Sequence, residues 1–451
     1  MRTSDLLLLH ARWILPVEPV GVVLDYHSVV IQDGRILDVL PSAAAIQRYP
    51  TVSSLTFDRH VLIPGLVNAH THAAMALLRG LSDDLPLMTW LTKHIWPAEA
   101  RWVNPDFVRD GTLLAAAEML SSGITCFNDM YFFPEEAAEA AVAVGIRACV
   151  GLIVLDFPTV WAANADGYLV RAAEVHERLR HIPLIRTLLA PHAPYTVSDA
   201  PLAQVRVLSE TLDLPVHIHL HETATEIEQA VATSGERPLA RLARLGLLSS
   251  RLMAVHMTQL TEEEIVTCAN TKVHVVHCPE SNLKLASGFC PVARLQAAGV
   301  NVALGTDGAA SNNDLDLFSE MRTAALLAKA VAGNTAVLPA HEALYLATLA
   351  GAKALGMAGE IGSIVPGKAA DLVAVDLSGV ATEPVYHPAS ALVYAASRTA
   401  VTDVWVAGRQ VVRNRILLTV DTAEILNRAR NWGHRIAEKD NPISAIHTTD
   451  H

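Results

Sequence analysis

Hydrophobic and polar positions change rhythm twice along the chain. Over the first sixty residues, short apolar runs alternate with turn residues: "DLLLLHARWILPV", then "DYHSVVIQDGRILDVLP" with Asp33 and Gly34 at its centre, then "SLTFDRHVLIPG". No helical period occurs there, so this stretch predicts paired strands and hairpins. From Leu62 onward, β-rich runs alternate with alanine-rich segments, the pattern of a parallel sheet with helices outside it. Eight such runs can be counted: "VLIPGLVNAH", "GITCFNDM", "IRACVGLIVL", "IPLIRTLLAPH", "LPVHIHLHE", "RLMAVHM", "KVHVVHCPES" and "VNVALGTDG". Eight parallel strands predict an α/β chain built on a (β/α)8 barrel, whose site gathers at the C-terminal ends of the strands. Beyond about residue 365, strands return in "DLVAVDL" and "VTDVWVAGRQVV", followed by a helix from Thr422. The expected organisation is a barrel over residues 61–365, with residues 1–60 and 366–451 supplying the two parts of a small β-sandwich domain.

The barrel reading gives meaning to the polar residues that end the runs. His70 and His72 end the first, His192 follows the fourth, His219 and Glu222 end the fifth, His256 the sixth, His277 the seventh and Asp307 the eighth. All would converge on one face. Side chains alternate along a strand, so an H-x-H pair can present two imidazoles to one ion. That pair alone is a weak signal, and it strengthens when joined to a third histidine on another strand end and to Asp307. Three neutral imidazoles and a carboxylate suit Zn²⁺ or Fe²⁺ with a position left for water. His217, His219 and His221 share one face by parity, so His217 and His221 are read as hydrogen-bonded packing, as is His274; His277 could pack or support the site. Glu222, just beyond His219, is placed to move a proton. Two-metal barrel hydrolases bridge their ions with a carbamylated lysine near the end of the fourth strand. No lysine stands between Lys93 and Lys272, so one ion is expected.

Composition narrows the partners. The 451 residues are 51% apolar, enough for a large core, and the net charge of −12 with no basic run speaks against nucleic acid. The opening "MRTSDLLLLHARWILPVEP" breaks its leucine run at His10 and Arg12, which argues against a signal peptide. No segment approaches the roughly 20 apolar residues of a membrane span. Five cysteines without paired spacing suit reduced thiols in the core of a cytoplasmic protein.

Through "PGLVNAHTH", "HLHE", "HCPESNLKL", "GTDGAASNN" and "GSIVPGKAADLVAVDL" the chain resembles the amidohydrolase superfamily nearly end to end. With "HAAMALLRGLSDDLPLMTWL", Glu99 and "APHAPYTVS" it is most similar to the 5'-methylthioadenosine/S-adenosylhomocysteine deaminase branch. The resemblance implies that His70, His72, His219 and Asp307 hold one divalent ion, zinc or iron. It further implies that Glu222 and His256 act in proton transfer with Asp307 helping to orient water, that Glu99 and His192 touch the substrate alongside Glu222, and that Trp90 and Ser311 line its pocket. The implied reaction is hydrolytic removal of the 6-amino group of an adenosine derivative with release of ammonia, by a homo-oligomer acting on a small nucleoside. Trp90 and Glu99 are expected on a long loop from Ala73 to Asn104. In the family, the amino-acid tail of S-adenosylhomocysteine meets an arginine after the third strand, whereas "VLDFPTVWAANADGYLV" has no basic residue before Arg171. Methylthioadenosine or adenosine is therefore expected as substrate ahead of S-adenosylhomocysteine. The alternative on the same scaffold is a deaminase or chlorohydrolase acting on guanine, another aminopurine, a pterin or a triazine.

Overall fold

A computed structural model describes residues 6–440, so the outermost parts of the two flanking pieces, residues 1–5 and 441–451, lie outside the described residues. The first strands are β1 (Leu7–Ile14), β2 (Leu24–Gln32), β3 (Arg35–Pro41) and β4 (Ser53–Pro64). Eight more follow in alternation with helices: β5 (Leu66–Thr71), β6 (Ile124–Tyr131), β7 (Arg147–Val154), β8 (Ile185–Pro191), β9 (Val216–Leu220), β10 (Leu252–His256), β11 (His274–His277) and β12 (Val302–Leu304). The chain returns to strands in β13 (Leu372–Asp376), β14 (Val401–Val406), β15 (Arg409–Arg413) and β16 (Ile416–Leu417), then ends in the helix Thr422–Asp440.

β5 to β12 pair in sequence order as one parallel eight-stranded sheet. Their near-continuous apolar character follows from burial on both faces, by side chains within the barrel and helices outside it. The ring is nearly closed where β5 meets the chain leaving β12. There the backbone N–H of Asp307 donates to the carbonyl of His70 at 3.1 Å, and the Asn68 amide donates to Thr306 Oγ1 at 2.8 Å. This is the barrel that the alternating rhythm predicts.

The two chain ends form a second eight-stranded sheet in the order β16-β15-β14-β13-β4-β1-β2-β3, with β13 antiparallel to β4 as the join between them. The sheet folds over so that the turn at Gly34 meets the turn at Ala407 and Gly408: Ala370 N–H donates to the Gly34 carbonyl and Gly408 N–H to the Ala370 carbonyl, both at 2.9 Å. Leu9, Val29, Ile36, Phe57, Leu62 and Trp405 fill the core this encloses.

Two expectations need correction. The first run, "VLIPGLVNAH", is divided: Val61–Pro64 complete β4 of the flanking sheet, and only the residues after Gly65 enter the barrel. Gly65 is where the chain passes between sheets, and a Cβ there would lie 2.0 Å from Thr125 Oγ1, so only glycine fits. The segment from Ala73 to Asn104 is also mostly helical rather than loop. It contains the 3-10 helix Ala73–Leu78 and the continuous helical run Leu87–Trp90, Leu91–Ile95 and Trp96–Trp102. Packing decides this. The 3-10 turn lies against the helix Pro105–Ser121, where an added Cβ at Gly111 would come within 2.4 Å of the Ala74 carbonyl oxygen.

At the end of the barrel opposite the strand C-termini, one buried ion pair ties the barrel to the flanking sheet. Arg147 at the start of β7 meets Asp371 through Nε to Oδ2 at 2.7 Å and Nη2 to Oδ1 at 3.2 Å, and Asp371 also accepts from the Ala407 N–H. Arg147 has a second, partly exposed partner in Glu360, Nη1 to Oε1 at 3.1 Å, so losing Asp371 removes the buried, doubly bonded half of its pairing. Asp371→Ala is therefore expected to cost about 3 kcal/mol of unfolding free energy in a urea titration; a loss under about 1 kcal/mol would show that the pair does not couple the two sheets.

Candidate metal centre and active site

The strand C-termini deliver the expected residues to one place. His70 and His72 come from the end of β5, His219 from β9, His256 from the last position of β10 and Asp307 from the turn after β12. His70 Nε2 and His72 Nε2 lie 3.2 and 3.3 Å from Asp307 Oδ1, and His219 Nε2 lies 3.2 Å from His70 Nε2. One donor atom from each of His70, His72, His219 and Asp307 falls within 4.8 Å of the other three. The backbone turns sharply to achieve this, with His256 and Asp307 both in the left-handed region at φ 75° and 63°.

Hydrogen bonds behind the cluster settle which nitrogen faces inward. His72 Nδ1 meets the Met130 carbonyl at 2.6 Å and His219 Nδ1 meets the His192 carbonyl at 2.8 Å. A carbonyl only accepts, so in both rings Nδ1 carries a proton and Nε2 is the nitrogen turned toward an ion. His70 Nδ1 is held 3.0 Å from His217 Nε2, and His217 is held in turn by Asn128. Burial keeps the imidazoles of His70, at about 4, and His219, well below the ordinary value, neutral, as ligation requires. At His72 burial opposes the charged form, while the hydrogen bond and negative charge of Asp307 raise the imidazole to about 9; the same carboxylate would favour a divalent ion, which would take the place of that proton on Nε2. Asp307 Oδ2 accepts from Ser281 Oγ at 2.6 Å and Ser311 Oγ at 2.9 Å, while Oδ1, which also accepts from the Gly308 N–H at 2.8 Å, faces the histidines. Three imidazoles that turn Nε2 inward and a fixed carboxylate are the donor set of a divalent-metal site.

Glu222 is buried beside this cluster, its Oε1 3.9 Å from His256 Nε2, and burial pushes its carboxyl up. The His256 ring stacks on that of His219 and anchors Nδ1 on Asn282 Oδ1 at 2.8 Å. Both residues line a cavity of about 340 Å³ that opens above the cluster. Its wall also carries the remaining expected contacts. Trp90 is buried there, Glu99 projects from the helix Trp96–Trp102 and burial pushes its carboxyl to about 7, and His192 is held by Thr196 Oγ1 at 3.0 Å. Ser311 lines the cavity while bonding Asp307.

All ten expected site residues thus lie in the cluster or its cavity. His217, His221 and His274 are hydrogen-bonded packing as read from parity, with His221 holding the Leu239 N–H and His274 next to Asn301. His277 is buried with Nδ1 unpartnered and joins no site hydrogen bond through that atom. Sequence reasoning missed Asn128, Ser281 and Asn282. The last two lie inside "HCPESNLKL", where the motif was visible although the roles of its members were not.

The Amidohydrolase family model matches residues 61–411. A 5-methylthioadenosine/S-adenosylhomocysteine deaminase of Saccharophagus degradans is 49% identical over 435 residues, covering 96% of this chain and 98% of that protein. A crystal structure of an adenosine deaminase from Xanthomonas campestris with bound zinc superposes with a TM-score of 0.94 at 56% identity, covering 96% of this chain and 98% of that one. Atrazine chlorohydrolase from Arthrobacter aurescens, at 22% identity and a TM-score of 0.88 over 94% of this chain and 99% of that one, shares the fold.

Replacing His219 by Ala removes one of three imidazole donors. The purified variant is expected to retain well under a tenth of an equivalent of divalent metal by elemental analysis, against about one equivalent in the parent; stoichiometric metal in the variant would contradict the ligand set.

Proposed function

The chain belongs to the amidohydrolase family, and from that premise we propose that it is a hydrolytic deaminase of adenosine derivatives that carry a small or neutral 5'-substituent. The observation that carries the proposal is the pairing of Glu222 with the donor cluster at the floor of a cavity whose wall presents Glu99 and Trp90. Names of the similar proteins point to the same chemistry.

His70, His72, His219 and Asp307 would hold one ion, zinc on our reading. Bound there, it supplies a water acidic enough to lose a proton near neutral pH. The protein's own groups do the rest. Glu222, whose carboxyl is pushed up by burial, takes the proton that the water gives up and passes it to ring nitrogen N1 of the adenine as C6 is attacked, which relieves the charge developing in the ring. It then takes the hydroxyl proton of the C6 adduct and delivers it to the amino group, ammonia leaves as the C6–N bond breaks, and the 6-oxopurine remains. His256, fixed by Asn282, and the Asp307 carboxylate orient the attacking water. Glu99 accepts from the ribose hydroxyls, so nucleosides are favoured over free bases. His192 borders the substrate, and Trp90 and Ser311 complete the wall.

The choice among nucleosides rests on the cavity lining, which contains no lysine or arginine. Ile95, Trp96, Leu155, Phe157 and Val160 instead make an apolar flank. An amino-acid carboxylate brought there would lose water without gaining a partner, whereas a methylthio group or a hydroxyl would not. Compared at equal concentration, methylthioadenosine and adenosine are expected to turn over at least about tenfold faster than S-adenosylhomocysteine, since an unpaired buried charge costs more than one power of ten in kcat/KM. Equal turnover of all three would refute the assignment of the flank, and release of ammonia from guanine alone would refute the nucleoside reading.

Glu99 adds a pH signature. Its acceptor form is present above about 7 and is lost as pH falls through that value. KM for adenosine is therefore expected to rise below pH 7 while KM for its 2',3'-dideoxy analogue stays level; parallel profiles would remove Glu99 from ribose recognition.

A further inference from the structure

Glu222 sits on a tight backbone turn, and a proton shuttle works only if its carboxylate stays in register with the ring it serves. The turn is built against that need. His221 is buried in the left-handed region at φ 53°, directly before Glu222, a conformation that non-glycine residues adopt only when neighbours hold them there. Glu226 holds it on one side. Its carboxylate is buried, and its two oxygens each take one backbone N–H: Oε2 from Glu222 at 2.7 Å and Oε1 from His221 at 3.1 Å. Thr258, just beyond β10, closes the other side, its Oγ1 donating to the Glu222 carbonyl at 2.7 Å. Both backbone polar groups of Glu222 are thus fixed by buried side chains that lie outside the cavity lining.

A helix cap would account for part of this. Thr223 is the N-cap of the helix Ala224–Ser234, and its Oγ1 accepts from the Glu226 N–H at 3.1 Å. A cap alone, however, has no use for the N–H groups of His221 and Glu222, which precede the N-cap, nor for Thr258 beyond the end of β10. From this geometry we infer that Glu226 and Thr258 are positioning residues for Glu222: they clamp its backbone from two sides, so that only side-chain rotation remains during proton transfer. This rests on the reading of Glu222 as the proton carrier.

The effect should fall on kcat and leave metal binding and substrate affinity alone, because neither residue reaches the ion cluster or the cavity. Glu226→Gln keeps one acceptor oxygen but sets an NH2 against the second backbone N–H, which pushes the turn out of line. Its kcat is expected to fall about a hundredfold, the scale of a misplaced catalytic group, with KM and zinc content within about twofold of the parent. The decisive measurement is a double-mutant cycle with Glu222→Gln. If Glu226 acts through Glu222, then Glu226→Gln costs nothing further in the Glu222→Gln background. The same hundredfold loss in both backgrounds would overturn the inference and leave Glu226 a structural cap. Full activity of Glu222→Gln alone would instead refute the proton-carrier assignment, a separate result. Should Glu226→Gln fail to fold, Thr258→Val, which removes the clamp on the carbonyl side, is carried through the same cycle. It is expected to show a kcat loss confined to the Glu222-containing background, and a loss independent of that background would overturn the inference.

Discussion

The site depends on one backbone contact, the donation from the Asp307 N–H to the His70 carbonyl that brings the end of the eighth barrel strand against the first. Two ligands from opposite ends of a long stretch of chain become neighbours only because the ring nearly closes there. The approach is close enough that Gly305 has no room for a side chain: a Cβ would lie 2.8 Å from the His70 backbone nitrogen and Cβ. The remaining donors arrive by register. Parallel pairing sets Val255 of β10 beside His219 of β9, so His219 and His256 reach the same rim with their rings stacked.

Electrostatics then determine what the rim can hold. Four histidine rings and two carboxylates packed together out of water would be unstable if several were charged at once. Burial keeps the rings of His70 and His219 neutral, while Asp307, held ionised by its neighbours despite burial, concentrates the negative charge at one oxygen. A divalent cation suits such an arrangement. Glu222 differs from Asp307 in having few hydrogen bonds to its carboxylate, and burial therefore raises its proton affinity. Two carboxylates in one site thus take separate tasks through their surroundings alone.

The strands and most of the site were legible in the sequence because both depend on local pattern. Eight β-rich runs bounded by Gly, Pro and Ala-rich helices announce the barrel, and the parity of His70 with His72 survives any error in strand ends. What stayed hidden depends on contacts between segments distant in sequence. The pairings of His70 with His217, His256 with Asn282 and Asp307 with Ser281 follow from inter-strand register, which one sequence does not fix. The helical state of Ala73–Leu78 is set by the close approach of Gly111, more than thirty residues on. The split of "VLIPGLVNAH" between two sheets turns on Gly65 and the Thr125 side chain it must clear. Glu226 stands in the first turn of the helix Ala224–Ser234, and its grip on the turn before that helix appears only in three dimensions.

A rim that activates water to displace the 6-amino group of a purine nucleoside leaves the oxygen of that water on C6. Turnover of adenosine in H2(18)O measures it directly, with mass spectrometry of the products. One heavy oxygen is expected at C6 of an intact 6-oxopurine nucleoside, with ammonia released in equal amount. Free purine base, or a product without the label, would contradict it.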